Sequence, residues 1–224
     1  MRNALPVKPA EWPERAYKLA YVSPSWGPEG SSRDLSDLMK LPVPSLLLPP
    51  AVVLLWVPGG KLEEGLDLLW GWKLHYRGVA FVWVKTDSKG VPLGAHGPRP
   101  TVSSRGSTEL VLAAETGPEY VLAGSTEKRG RPLPIVDETV GQVVMAPVGP
   151  RPPEVRARIE RMYGSAVSRV ELFAPGEVPG WDVWAPGAAV VVSAPSREGA
   201  EEKPAPQGGT EKEGFELAMG LDDE

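Results

Sequence analysis

The seven residues from Ala51 to Val57 (AVVLLWV) form an unbroken apolar run, and that run constrains the chain more than any other feature. It has the length of a strand and is far too short to cross a membrane. Because it lacks a polar face, both of its sides must be covered, as happens to a central strand in an α/β sheet. Its surroundings agree. Gly59-Gly60 breaks the chain, and Lys61 to Trp72 follows with Leu62, Leu66, Leu69 and Trp70 at helical spacing. Val79 to Val84 reads as a second buried strand. Upstream, Tyr17 to Val22 is a short strand entering the turn-prone stretch Ser23-Pro24-Ser25-Trp26-Gly27-Pro28, and Asp34 to Lys40 is a brief helix stopped by Pro42. Downstream, Thr108 to Ala114, Gln142 to Ala146 and Val170 to Ala174 read as strands. Pro153 to Met162 reads as a helix opened by Pro152-Pro153, with Glu154 in its first turn. Strands alternating with helices predict an α/β fold: a mostly parallel sheet with helices on both faces.

Composition narrows the chemistry. The 224 residues suffice for one sizeable core, and no cysteine is present, which removes disulfides, thiolate zinc sites and cysteine nucleophiles. His75 and His96 are the only histidines, so a histidine-rich metal site is excluded and no metal is expected. No membrane-length apolar run and no basic-then-apolar leader occur, so a cytoplasmic protein without a membrane partner is expected. The net charge of −5 is uneven. Pro195 to Glu224 holds three basic and nine acidic residues, which leaves 21 basic and 20 acidic residues in Met1 to Ala194. Residues 1–187 are therefore read as one folded domain. Residues 188–224 are read as an acidic Pro/Gly/Glu-rich tail, largely disordered, although Ala188 to Ser193 has the pattern of an edge strand. Between Thr86 and Ser107 lies a Gly/Pro/Ser-rich connection. With Lys85 at its border, it carries Lys89, Arg99 and Arg105 and is a candidate nucleic-acid contact.

Ser23-Pro24-Ser25-Trp26 sits where a strand ends, the place at which open α/β sheets bind ligands. The tetrapeptide resembles the Asp-Pro-Pro-Trp signature of amino-methyltransferases. More of the chain resembles the N6-adenine methyltransferase family, which includes the catalytic subunit of the eukaryotic mRNA enzyme and many phage and bacterial DNA enzymes. Leu41-Pro42-Val43, Leu55-Trp56-Val57, Trp70-Gly71-Trp72 and Trp83-Val84-Lys85 match its steps in order. Arg105 and Glu109 keep an Arg…Glu pair, with Leu112 in the strand that follows. Ile159-Glu160, Glu171-Leu172-Phe173 and Gly180-Trp181-Asp182-Val183-Trp184 complete the series. The resemblance implies a Rossmann-like, S-adenosylmethionine-dependent methyltransferase fold with permuted motif order, acting on an exocyclic amine of adenine or cytosine in DNA.

That resemblance assigns roles. Ser23 would accept a hydrogen bond from the amine, Pro24 would present its carbonyl to the second N–H, and Trp26 would stack on the base. The cofactor would lie against Ser23, Arg151, Leu172, Phe173 and Trp184. Ser23 replaces an aspartate, and a hydroxyl lacks the charge that makes such bonds roughly twice as strong. Enzymes that methylate cytosine amines often place Ser-Pro-Pro-aromatic here, which brings cytosine in as a target. Other departures fall on the cofactor side. Leu172-Phe173-Ala174-Pro175 lacks the family's arginine, Trp184-Ala185-Pro186 lacks a polar ribose contact, and only Glu11 and Glu14 offer an upstream acid. Two readings therefore stand: an active enzyme with a nucleic-acid partner, or a catalytically inactive subunit that binds nucleic acid or a partner protein, as a homo- or hetero-oligomer.

Overall fold

The long apolar run becomes the middle of the sheet. The structure is a computed structural model, and it describes residues 12–13, 16–26, 35–93 and 118–186. Strand β1 is Tyr17–Val22, helix α1 Leu35–Lys40 and strand β2 Leu47–Pro58. Helix α2 is Leu62–Gly71, β3 His75–Thr86, β4 Glu119–Ser125 and β5 Val143–Pro147. Helix α3 is Pro153–Tyr163, β6 Arg169–Leu172 and β7 Asp182–Trp184. These strands form one sheet in the order β5-β3-β4-β2-β1-β6-β7.

In β2, alternate residues serve opposite faces, which is why its sequence has no polar side. Val53, Leu55 and Val57 pack with Leu38, Leu68, Leu69 and Trp72 from the side of α1 and α2. Val52, Leu54 and Trp56 pack with Val155, Ile159 and Tyr163 from α3. Each fully buried aliphatic side chain of this kind contributes about 1.5–3 kcal/mol. Helices on both faces are thus borne out. The sheet itself is mixed: β1 pairs in parallel with β2 and β6, β3 with β5, and β6 with β7, but β4 is antiparallel to both β2 and β3.

The structure departs from the sequence reading in detail. Neither β4 nor the three-residue β7 was expected. The inward face of α2 is Gly65, Leu68 and Leu69, whereas Leu62 and Trp70 are exposed, Trp70 by 60%. Gly65 sets that rotation, because a Cβ there would come within 2.6 Å of a Val57 methyl. The helix seats its bare backbone on β2. The expected strands at Thr108–Ala114 and Ala188–Ser193, and the tail, lie outside the described residues. Among those described, no helix is long and apolar enough to cross a membrane.

Candidate active site

Among the described residues, every strand except β4 runs in one direction, so their carboxyl ends meet at a single edge, and the antiparallel β4 begins there. The Ser23–Trp26 segment leaves β1 at this edge. Parallel pairing of β1 with β6 brings Ser23 to Leu172, whose carbonyl accepts from the Ser23 backbone N–H at 3.1 Å and from its hydroxyl at 3.4 Å. Pro24 is buried, Ser25 exposed, and Trp26 half-buried against the α1/α2 core. The Trp26 indole is held in place: its Nε1 donates to the Trp56 carbonyl at 2.8 Å.

Arg151 closes the segment from the other side. Its Nη1 donates to the Ser23 carbonyl at 2.7 Å and its Nη2 to the Pro24 carbonyl at 2.9 Å. Its Nε donates to Glu119 Oε2 at 3.3 Å, and the guanidinium lies 5.4 Å from the centre of the Trp56 ring. The other oxygen of Glu119, Oε1, is 3.0 Å from Lys85 Nζ, which lies 5.1 Å from the centre of the Trp83 ring. Trp56 and Trp83 meet edge to face at 6.2 Å. Two cations and one carboxylate thus lie beside two indoles at the edge where the strands end.

The expected site residues are only partly gathered. Ser23, Pro24, Trp26 and Arg151 come together, and Leu172 joins them through its carbonyl. Phe173 follows Leu172 with a positive φ of 67° and donates its N–H to the Trp184 carbonyl at 2.6 Å. Trp184 is only 3% exposed, edge-on to both Trp12 and Phe173, so its ring is closed to a ligand. Lys85 is next to the last residue of its strand, beside the connection, but it is not solvated. It lies within β3, 5% exposed and paired with Glu119, because the strand runs on to Thr86. Lys89 is exposed in the turn that Asp87 organises by accepting from the Lys89 and Val91 N–H groups. Arg99, Arg105, Glu109, Glu11 and Glu14 lie outside the described residues.

Two residues here escaped the sequence reading. Glu119 opens a strand that was not expected. Trp56 was read as core alone, yet its carbonyl holds Trp26 and its ring carries Arg151. Beneath the site, Trp56 Nε1 donates to the Tyr21 hydroxyl. Burial pushes that hydroxyl far above the ordinary tyrosine range, and the bond from Trp56 offsets only part of the rise. Further in, Glu171 is 2% exposed and takes a two-pronged bond from Arg156, at 2.7 and 3.0 Å. Among the described residues no group of acidic or histidine side chains could hold a metal.

Comparison with known proteins follows these boundaries. A Type II methyltransferase, M.MunI of Mycoplasma sp, is 26% identical over 202 residues, covering 77% of this chain and 78% of that protein. Residues 16–187 match the MT-A70 family, a span that starts just before β1 and ends just after β7. The chain belongs to the MT-A70 family.

Proposed function

We propose that the protein is an S-adenosylmethionine-dependent methyltransferase acting on the exocyclic amine of adenine or cytosine in DNA. One observation carries this reading. A hydroxyl, a carbonyl and an indole sit within four consecutive residues at the carboxyl edge, and each is held by a hydrogen bond with another part of the fold. The scaffold reading goes with it: a Rossmann-like domain over residues 1–187 with permuted motifs, the acceptor segment after β1 preceding the cofactor segment on β6, and an acidic tail over 188–224.

An aromatic amine is a poor nucleophile because its lone pair is delocalised into the ring. Acceptors at both N–H groups pull the nitrogen toward tetrahedral geometry and free that pair. Ser23 Oγ serves one N–H. The Pro24 carbonyl serves the other, since a carbonyl oxygen has two lone pairs and Arg151 takes one. The half-exposed Trp26 ring stacks on the base, which is worth about 1–3 kcal/mol. When bound, S-adenosylmethionine supplies an electrophilic methyl on sulfur. Of the residues expected to hold it, Ser23, Arg151 and Phe173 keep accessible surface and suit its carboxylate and aromatic base. Leu172 and Trp184 support them from behind. DNA is the chosen substrate because the resemblance takes in phage and bacterial DNA enzymes, and M.MunI is a Type II methyltransferase.

A second reading rests on Arg151 and Trp184. Arg151 commits three donors within the chain and Trp184 is closed, which favours an inactive subunit that keeps the scaffold to bind nucleic acid or a partner chain. The two separate experimentally. Titration calorimetry with S-adenosylmethionine, then mass spectrometry of nucleosides from incubated DNA, should give binding and either methyladenine or methylcytosine. No binding at millimolar ligand and no methylated nucleoside would establish the inactive subunit.

A further inference from the structure

We infer that Glu119 is a positioning residue for the Ser23–Trp26 segment: its carboxylate aims Arg151, and Arg151 holds the two backbone carbonyls. The inference rests on the proposed reading of that segment as the amine-binding loop.

Arg151 comes from a loop between β5 and α3, flanked by Pro150, Pro152 and Pro153, so no helix or strand orients its side chain. Three contacts do so instead: the Trp56 ring, the pair of carbonyls and Glu119. The ring is a broad surface and leaves the guanidinium free to slide. The carbonyls belong to a segment that itself needs holding. Glu119 is the only one of the three that combines a formal charge with a fixed origin, because it opens β4 and pairs in register with Pro58 of β2 and Trp83 of β3. Its side chain is only 13% exposed, so water screens the pair weakly.

The second oxygen matters as much. Lys85 Nζ sits 3.0 Å from Glu119 Oε1. With the carboxylate between them, the lysine and the arginine are both attracted to one point. With a neutral amide in its place, two cations repel each other in a poorly hydrated corner, and the more mobile one gives way. Lys85 is anchored on a strand and is 5% exposed, so Arg151 is the one that moves. The carbonyls of Ser23 and Pro24 then lose their common donor, and the indole of Trp26, two residues on, loses its setting.

The test uses the full chain with Glu119→Gln, and Glu119→Asp as a shorter variant that keeps the charge. The first readout is independent of catalysis: the eight indole N–H signals in a nitrogen–proton correlation spectrum, assigned by single Trp→Phe changes. In Glu119→Gln the signals of Trp56 and Trp26 should shift. Those of Trp72 and Trp181, bonded to Leu38 and Glu160, should stay in place. Glu119→Asp should move the first two less. Unmoved Trp56 and Trp26 signals, or all eight moving together with a lower melting temperature, would overturn the inference. The second readout is kinetic. Mispositioned acceptors should lower kcat about 100-fold with little change in KM for DNA, and Glu119→Asp should recover part of the loss. A rise in KM at unchanged kcat would show Glu119 to be a binding residue instead. If the wild-type chain transfers no methyl group, the methyltransferase reading fails by itself, and the indole signals still decide the role of Glu119.

Discussion

Arg156 and Arg151 both reach a carboxylate inside the fold, but they divide their donors differently. Arg156 spends its fork on Glu171, with Nε on one oxygen and Nη2 on the other. Burial by itself would make its guanidinium easier to deprotonate, yet the bond and the charge of Glu171 outweigh that and hold it above the usual arginine range. Arg151 gives Glu119 a single longer bond and reserves its two shortest for the backbone of a loop. The first pair is closed on itself, with Glu171 in β6 opposite Tyr21 of β1. The second is open, at the edge where the strands end. A pair that satisfies only itself contributes to the stability of the core, whereas one that bonds a loop determines where that loop sits. The difference separates a contact within the core from one that holds a loop, inside one sheet.

The comparison is most easily broken at Arg156. Arg156→Met leaves Glu171, 2% exposed, without its fork, and breaking such a buried pair costs about 3–5 kcal/mol. For a chain of this size that lowers the melting temperature by roughly 10 °C. Calorimetric melting checks it, and the Trp26 and Trp56 indole signals should remain where they are. A loss under about 1 kcal/mol would mean that Glu171 finds water or another donor, and that the pair is not closed.

Arg151→Ala should reverse the emphasis. Stability should fall by about 1–2 kcal/mol, the cost of leaving the Ser23 and Pro24 carbonyls without this donor. Methyl transfer should fall about 100-fold in kcat, because a displacement of about 1 Å in catalytic geometry is enough for that. Equal destabilisation by the Arg151 and Arg156 variants would erase the distinction. Tyr21→Phe probes whether the two regions communicate. Its hydroxyl accepts from Trp56 Nε1, and Trp56 also carries Arg151. Leaving that buried N–H without an acceptor costs about 1–3 kcal/mol. Combined with Arg151→Ala, the losses should depart from additivity by about 0.5 kcal/mol or more, whereas Arg156→Met with Arg151→Ala should add.

What could be read in the sequence follows the same division. The strands β1, β2 and β3 and the helices α2 and α3 were legible because each carries its own signal: an unbroken apolar run, or helical spacing with a proline start. Strand β4 was not. It opens on Glu119, ends on Gly124 and Ser125, and has only Tyr120 to Ala123 as an apolar stretch, so its identity depends on β2 and β3 lying either side of it. In the site, Ser23, Pro24 and Trp26 were legible as a strand-end motif. The partnership of Arg151 with the Ser23 and Pro24 carbonyls was not, since it joins backbone groups more than 120 residues away and no side-chain pattern records it. The burial of Lys85 was hidden for a related reason. A lysine next to a polar connection looks solvated until the glutamate that buries it is known.

The smallest effect concerns a carboxylate with no part in the site. Asp137 lies on the flank beside α3, where Arg161 Nη2 donates to it at 2.8 Å. The Thr139 hydroxyl, then the Thr139 backbone N–H and Arg161, hold its carboxyl below the usual aspartate range. A depressed value in the fold means that stability from these bonds is complete above the unfolded carboxyl's range and is lost as pH falls through the folded value. Wild type and Asp137→Asn should therefore differ in melting temperature at neutral pH and converge in acid. Raising the salt concentration should narrow the neutral gap, because Arg161 is exposed and its share of the attraction is screened. By contrast, the pair of Glu119 and Arg151 should respond little to salt, being covered by Trp56 and the Ser23–Pro24 backbone. A gap at Asp137 that is independent of pH would assign its effect to packing, and equal salt sensitivity at both places would show the edge cluster to be an ordinary surface pair.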